Sequence, residues 1–272
     1  MATVERIERD IAALEEAVSA IAIELHSAYI NYLTVLGQAE QQQLILASYH
    51  LCTQGYPEAF LSLQFSQRQQ LQQAIRKLGQ YAANQLFALT KTEEYIEVRK
   101  DGEMETKGDG EEDVSSPPSP PHPSNPMELV QWQQNLELAI ASILKILSRD
   151  SNRLLQQAGI LPHKLPEPIL EAAAKAEASA ETMAGPPNLL NLLIETENND
   201  AESEDSSMTY IVAIHLRLSE IEFADATVRA GRNQIRNLLS RVNKLGRDYH
   251  KKQRERAVAQ AEAAWRASWF EG

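Results

Sequence analysis

The sequence predicts an all-α fold: long amphipathic helices in an antiparallel helical bundle or coiled coil, joined by two acidic disordered linkers. Apolar residues recur at alternating steps of three and four along most of the chain, which is the helical period. Breakers are scarce: the 272 residues hold 11 Gly and 12 Pro, and six of the prolines fall between 117 and 126. Aromatic residues make up only 6%, which disfavours a β-sandwich or barrel.

The first predicted helix spans residues 4–38 and carries one apolar seam. Thr3 is its predicted N-cap. We expect a second helix over 39–53, ended by Gly55 and Pro57, and a short helix from Pro57 to about residue 63. The seam of the first helix has the three-four spacing of a bundle helix; its residues are Val4, Ile7, Ile11, Leu14, Val18, Ile21 and Leu25.

Three further helices are predicted before residue 185. One begins at Ser66, has Gln69 in capping-box position and ends near Thr90. The next begins at Asn125-Pro126, with Glu128 completing a capping box, and ends at Gly159. An Ala- and Glu-rich stretch predicts a helix over 167–184, followed by Gly185-Pro186-Pro187.

Residues 209–218 are ambiguous between strand and helix. Their order, TYIVAIHLRL, alternates well enough for a strand. The three-four step that continues to Tyr249 favours one long helix over 209–270, with a kink or a close helix contact at Gly231 or Gly246. The preceding run NLLNLLIE, residues 188–195, is interpreted as a short apolar segment that docks into a groove.

Composition divides the chain into five segments. We expect residues 1–90, 126–195 and 208–272 to be helical and to pack as one bundle, and we expect 91–125 and 196–207 to be acidic linkers with too little apolar surface to fold. Residues 93–113 hold ten acidic and three basic side chains, and a Pro/Ser-rich run follows them. A small hairpin over 95–106, around Asp101-Gly102, is the alternative for part of the first linker.

The charge is unevenly distributed. The whole chain carries −12, yet residues 229–256 hold ten Lys or Arg against Asp248 and Glu255. Such a face can bind acidic segments of its own chain or of a copy, an acidic partner, a membrane surface or nucleic-acid phosphates. A solvated face with no ligand is the competing interpretation, and no nucleic-acid reading motif accompanies the charge.

The C-terminus adds aromatic anchors to the basic segment. Trp265 and Trp269 are four residues apart and therefore share a helix face. Because Trp is a favoured anchor at interfaces, we predict one partner-binding surface, separable from folding. Charge reversal at two of its arginines, 232 and 236, is then expected to leave helicity intact. The candidate residues are Arg229, Arg232, Arg236, Arg247, Lys251, Trp265, Trp269 and Phe270.

Recognisable catalytic chemistry is missing. There is no GxxxxGK[ST], GxGxxG or HExxH, and no His follows a Glu by three residues as in di-iron bundles. His50 and Cys52 are two apart, so a helix points them away from each other. We expect no catalytic residue, cofactor or metal. The single cysteine and the absence of a signal or spanning segment predict a cytoplasmic protein.

Three stretches resemble uncharacterised helical proteins of cyanobacteria. They are Ser48–Gly79, Pro187–Glu195 and Ala259–Glu271. The resemblance contains no diagnostic motif and implies no activity and no site residue.

The expected function is a non-enzymatic helical protein–protein interaction module: an adaptor, scaffold or assembly factor. A protein partner is expected, with an acidic one favoured, and a homo-oligomer is an open alternative. The alternative hypothesis is a peripheral membrane or nucleic-acid binder that uses the basic C-terminal helix. The negative net charge of the chain disfavours nucleic acid. An enzyme without a recognisable motif comes third.

Overall fold

The computed structural model describes residues 2–91, 125–162, 186–196 and 207–269. In these ranges the chain is helical apart from one two-stranded sheet. The elements are α1 (Ala2–His50) with a π-helical turn at Leu51–Gly55, α2 (Pro57–Ser62), α3 (Phe65–Ala88), α4 (Pro126–Gln157), β1 (Leu189–Thr196), β2 (Ser207–Ile214), α5 (Leu218–Ala224) and α6 (Ala226–Ser268). The all-α prediction is confirmed.

Most predicted helix boundaries match the structure. α2, α3 and α4 begin and end within about two residues of the predicted positions. Asn125 caps α4 as expected, because its Oδ1 accepts the Met127 N–H at 3.0 Å and its Nδ2 donates to Glu128. The predicted helix over 167–184 and the hairpin over 95–106 lie outside the described residues, as does most of each acidic linker.

The predicted break at residues 38–39 was wrong. One helix runs through this position to His50, since Gly37 weakens a helix without ending it. A Cβ built on Gly37 would lie 3.0 Å from the Cβ of Ala83 on α3. The glycine is therefore explained by close packing of two helices.

The helix predicted for residues 209–218 was also wrong. Residues 207–214 form β2, which pairs antiparallel with β1 in the register Leu190↔Ala213 and Leu192↔Ile211. The run 188–195, interpreted as a docking segment, is the other strand of this hairpin. The β-branched residues of β2 suit a strand, and the leucine-rich partner strand supplies the contacts that make the strand more favourable than a helix.

Two side chains form hydrogen bonds with the outer backbone edge of β2: Tyr56, which lies between the π-helical turn and α2, and Asn152 of α4. The Tyr56 hydroxyl accepts the Val212 N–H at 3.0 Å and donates to the Val212 carbonyl at 3.2 Å. The Asn152 amide makes the same pair of bonds with Ile214, both at 2.9 Å. These groups replace a third strand, because backbone groups at a buried sheet edge need partners.

The described residues form two compact units, each built from separate stretches of chain. The first takes Met1–Tyr32, Leu89–Ala139 and Ala230–Gly272, and the second takes Leu33–Ala88 and Ile140–Arg229. Each unit therefore draws on several of the segments predicted from composition.

In the first unit, α6 runs antiparallel to the N-terminal part of α1. The pairs Asp10–Lys252 (3.0 Å), Glu15–Tyr249 (3.2 Å) and Glu24–Arg241 (2.7 Å) fix this direction. The predicted seam of α1 supplies core residues, although Val4 and Leu14 are only half-buried. The main buried apolar residues of the unit are Ile7, Ile11, Val18, Ile21, Leu25, Leu129, Leu136, Ile235, Leu238 and Val242.

In the second unit, α1 and α3 pack antiparallel. Gly37 lies against Ala83, and Gly79 lies against Gln41 and Leu44. The hairpin is attached by Asn188, a buried residue with φ 61°, whose side chain accepts the Arg217 N–H at 3.0 Å and donates to Gln43 at 3.0 Å. Asn is among the residues that tolerate this left-handed conformation.

Two glycine-to-alanine substitutions are expected to have opposite effects on stability. At Gly246 a Cβ would lie 3.7 Å from the Pro126 Cβ, which is ordinary contact, so Gly246→Ala should raise the free energy of unfolding by up to about 1 kcal/mol. At Gly37 the Cβ would also approach the Ala83 Cα at 3.2 Å. Gly37→Ala should therefore cost about 1–2 kcal/mol. Denaturant titrations of both variants measure the change in the free energy of unfolding. Changes of the same sign at the two positions would contradict the packing described for Gly37 and Gly246.

Candidate functional site

The predicted basic surface divides into buried and exposed parts. Arg232 belongs to the interior, with 8% of its surface exposed. Its Nη1 bonds Glu137 of α4 at 2.5 Å and its Nη2 donates to the Tyr32 hydroxyl of α1 at 2.7 Å. The guanidinium also lies over the Tyr32 ring, 4.5 Å from its centroid. Arg232 therefore links three helices of the first unit. Because it is buried, it is not part of an exposed partner-binding surface.

Two tyrosines and a tryptophan complete this buried cluster. The Tyr29 hydroxyl donates to Glu137 at 2.6 Å. Burial, and then the Glu137 charge, raise the pKa of Tyr29 far above its usual value. The Tyr29 ring makes edge contacts with Tyr32 (6.3 Å between centroids) and Trp132 (5.5 Å). Such T-shaped pairs are favourable beyond the area they bury, so the cluster is best explained as a structural polar core.

Other basic residues of α6 form ion pairs with acidic residues of α1. Arg241 pairs with Glu24, and Lys252 pairs with Asp10 and with Glu255 on its own helix at 2.9 Å. The hydrogen bond to Glu255, and then the one to Asp10, raise the pKa of Lys252. Asp10 and Glu24, two of the seven acidic residues of α1, are thus paired with α6 within the fold. Pairs this exposed contribute little to stability and mainly fix the register of the two helices.

Six cations of α6, including Arg229 and Lys244, are exposed and form no ion pair with any residue in the described part of the chain. Four of the six share one helix face, and we call these four the basic stripe: Arg236, Arg247, Lys251 and Arg254. A depression of about 560 Å³ lies between Arg236 and Arg247 and is lined also by Leu239, Ser240 and Asn243. Arg229 is exposed as well, but it belongs to the second compact unit.

The C-terminal tryptophans continue the same face of α6. Trp265 and Trp269 are each 66% exposed, and their rings lie 5.7 Å apart at 38°. Eighteen residues make about five full helical turns, so Trp265 lies in line with Arg247, and Trp269, at the helix end, with Lys251. Phe270 lies outside the described residues. The sequence showed only that the basic residues and the tryptophans belong to the same segment. In the structure the basic stripe and both tryptophans lie along one face of α6.

Two reactive side chains, Cys52 and His50, lie close together at the C-terminal end of α1 and the π-helical turn after it. Cys52 is buried, and burial raises its thiol pKa to about 11, which disfavours the nucleophilic thiolate. The Nδ1 of His50 has no hydrogen-bond partner among the described residues. In the described ranges, no hydrogen-bonded base or acid lies beside Cys52 or the Nδ1 of His50 to activate it. The described ranges hold no group of three or more His, Cys, Asp or Glu that could bind a metal ion.

Sequence reasoning missed the most unusual of the buried groups, Glu40. It is fully buried, and neither carboxylate oxygen has a hydrogen-bond partner in the described ranges. Burial raises its pKa to about 8. A signal was present: Leu33, Leu36, Glu40, Leu44 and Ala47 continue the three-four spacing of α1, which places Glu40 on the core face.

Two further findings bear on the function. None of the helices in the described ranges is long and apolar enough to cross a membrane. No protein-family model, no curated protein and no solved structure matches this chain. The geometry of α6 is therefore the main guide to what the protein does.

Proposed function

We propose that the protein is a non-enzymatic helical protein–protein interaction module (an adaptor, scaffold or assembly factor) that binds its partner through the exposed face of α6. One observation carries the proposal: the basic stripe and the two exposed tryptophans lie on one helix face. Tryptophan and arginine are the residues that most often dominate binding energy at protein interfaces. An acidic partner fits the stripe, because charge complementarity steers association. The lone Cys52 suits a reducing compartment, and we propose a cytoplasmic location.

The position of α6 in its unit favours a protein partner over a membrane. An interfacial membrane helix inserts an apolar face that lies opposite its basic face. In α6 the face opposite the stripe carries Ile235, Leu238 and Val242, and these side chains are buried in the core. In the described part of α6, Val258 and the two terminal tryptophans are the large apolar side chains left to contact lipid. The net charge of −12 further opposes approach to anionic lipid or nucleic acid.

Removing the tryptophan anchors is expected to abolish partner capture without unfolding the protein. The tagged full chain and its Trp265→Ala/Trp269→Ala variant are compared for proteins retained from a lysate of the source organism. Because buried anchors slow dissociation, the retained partner should be lost from the double variant. Circular dichroism should be unchanged, since both side chains are exposed in the free protein.

Tyr81→Ala is the matched control, because Tyr81 is a comparably exposed aromatic residue on α3, at 62%. It should retain the partner. If the tryptophan variant and the Tyr81 variant capture the same proteins in the same amounts, the α6 face is not the partner site and the proposal fails.

A further inference from the structure

We propose that the acidic segment 93–113 of this same chain docks on the basic stripe of α6 and competes with external partners for it. The inference rests on the proposed function, since it describes how the same face is regulated. Residues 92–124 lie outside the described residues. Their sequence, the two points where the described chain stops and resumes, and the stripe itself support the contact.

Charge complementarity is the first support. Residues 93–113 contain ten carboxylates and three basic side chains. Arg236, Arg247, Lys251 and Arg254 are exposed cations on one helix face with no described carboxylate partner. Asp10 and Glu24 of α1 do not fill this role, because they pair with other cations of α6.

The attachment points of the segment are the second support. The chain leaves the described region just after Thr90, whose carbonyl oxygen lies 3.2 Å from His26 Nε2 on α1. It returns at Asn125, next to Pro126, and Pro126 lies against Gly246, one residue before Arg247. Both points belong to the unit that contains the stripe.

The residues between the acidic segment and Asn125 are numerous enough for the segment to reach the basic stripe. The twelve residues from Asp113 to Asn125 can span at most about 40 Å. The helix from Arg236 to Arg254 is about 27 Å long, so the segment can reach every cation of the stripe from its anchor at Pro126. Tethering at this distance gives the segment an effective concentration of roughly millimolar order, which an external acidic partner has to overcome.

Binding of the segment as a separate peptide tests the proposal. A fluorescent peptide of residues 93–113 is titrated with the full chain and with a neutral-segment variant, in which every acid from 93 to 113 is changed to its amide. The neutral-segment variant should bind the peptide, and the full chain should bind it at least tenfold more weakly because its own segment occupies the stripe. Binding should weaken steeply as salt rises from about 50 to about 500 mM.

Two controls assign the contact to the stripe. Adding Arg247→Glu and Lys251→Glu to the neutral-segment variant should abolish peptide binding, and a peptide with all acids amidated should bind neither protein. Equal peptide affinity for the full chain and the neutral-segment variant would overturn the proposal, as would no binding to the variant. Duplex DNA or phosphatidylserine vesicles that bind both proteins equally well would also overturn it, since the stripe would then be open in the full chain.

The test separates this inference from the proposed function. If the peptide does not bind but capture of a partner still depends on Trp265 and Trp269, the interaction module stands and the intramolecular contact is rejected. If the peptide binds as expected but the tryptophan variant captures the same proteins as the full chain, the intramolecular contact stands and the proposed partner site falls.

Discussion

Replacing Arg232 with methionine is expected to lower the free energy of unfolding by about 3 kcal/mol, whereas the same change at Arg236 should stay within about 0.5 kcal/mol. The two arginines are four residues apart on α6 and differ in surroundings: Arg232 is 8% exposed and bonded to Glu137 and Tyr32, and Arg236 is exposed. Urea titrations followed by circular dichroism measure both values.

The expected loss at Arg232 has a specific cause. Methionine fills a similar volume but leaves the Glu137 carboxylate without its cation and the Tyr32 hydroxyl without its donor. Breaking one side of a buried ion pair is costly for this reason, although the Glu137 side chain is 25% exposed, which places the cost at the low end of the usual range. Adding Glu137→Gln to Arg232→Met should recover most of the lost free energy of unfolding. The glutamine removes the unpaired charge, and its amide oxygen can still accept the hydrogen bond from the Tyr29 hydroxyl.

The buried position of Arg232 changes an expectation that was drawn from the sequence. Reversing charge at Arg232 and Arg236 was expected to leave helicity intact. The structure shows that Arg232→Glu would place two carboxylates side by side in the three-helix cluster. We expect the Arg232 substitution alone to account for any unfolding. Equal midpoints for the methionine variants at 232 and 236 would contradict the buried position of Arg232.

The stability of the protein is expected to fall between about pH 5 and pH 9 because of Glu40. Its pKa in the folded state is raised to about 8 from a reference of 4.5. The folded chain therefore holds a proton over this interval that the unfolded chain has released, and stability decreases as pH rises. The favourable contribution of the protonated acid is complete below about pH 4.5 and is lost as pH rises through 8; the difference is a few kcal/mol, at most about 5.

Glu40→Gln isolates this effect. The amide has nearly the same shape and no charge, so the variant should match the natural protein near pH 5 and be clearly more stable near pH 9. Glu16→Gln, at an exposed position of the same helix, is the control and should leave the pH dependence unchanged. If unfolding midpoints of the Glu40 variant track those of the natural protein at both pH values, Glu40 is not a protonated buried acid.

The sequence alone was sufficient to predict most of the helices, although not the continuity of α1 through residues 38–39. The three-four spacing of Ile7, Ile11, Val18 and Leu25 placed these residues in the core, where the structure finds them. Asn125 caps the start of α4 as predicted, whereas Thr3 and Ser66, the other predicted N-caps, lie inside α1 and α3. These features are local: a helix start needs a partner for its own N–H groups, and an amphipathic stripe needs only one apolar surface to cover it.

Only the tertiary structure decided the hairpin and the roles of the charged residues. Residues 209–214 became a strand because 189–194, distant by about twenty positions, offered a matching edge. Arg232 and Arg236 belong to one basic segment, and only contact with Tyr32 and Glu137 on two other helices distinguishes them. A strand needs hydrogen-bond partners from elsewhere in the chain, and whether a charge is buried depends on which helices surround it, so neither can be read from the local pattern.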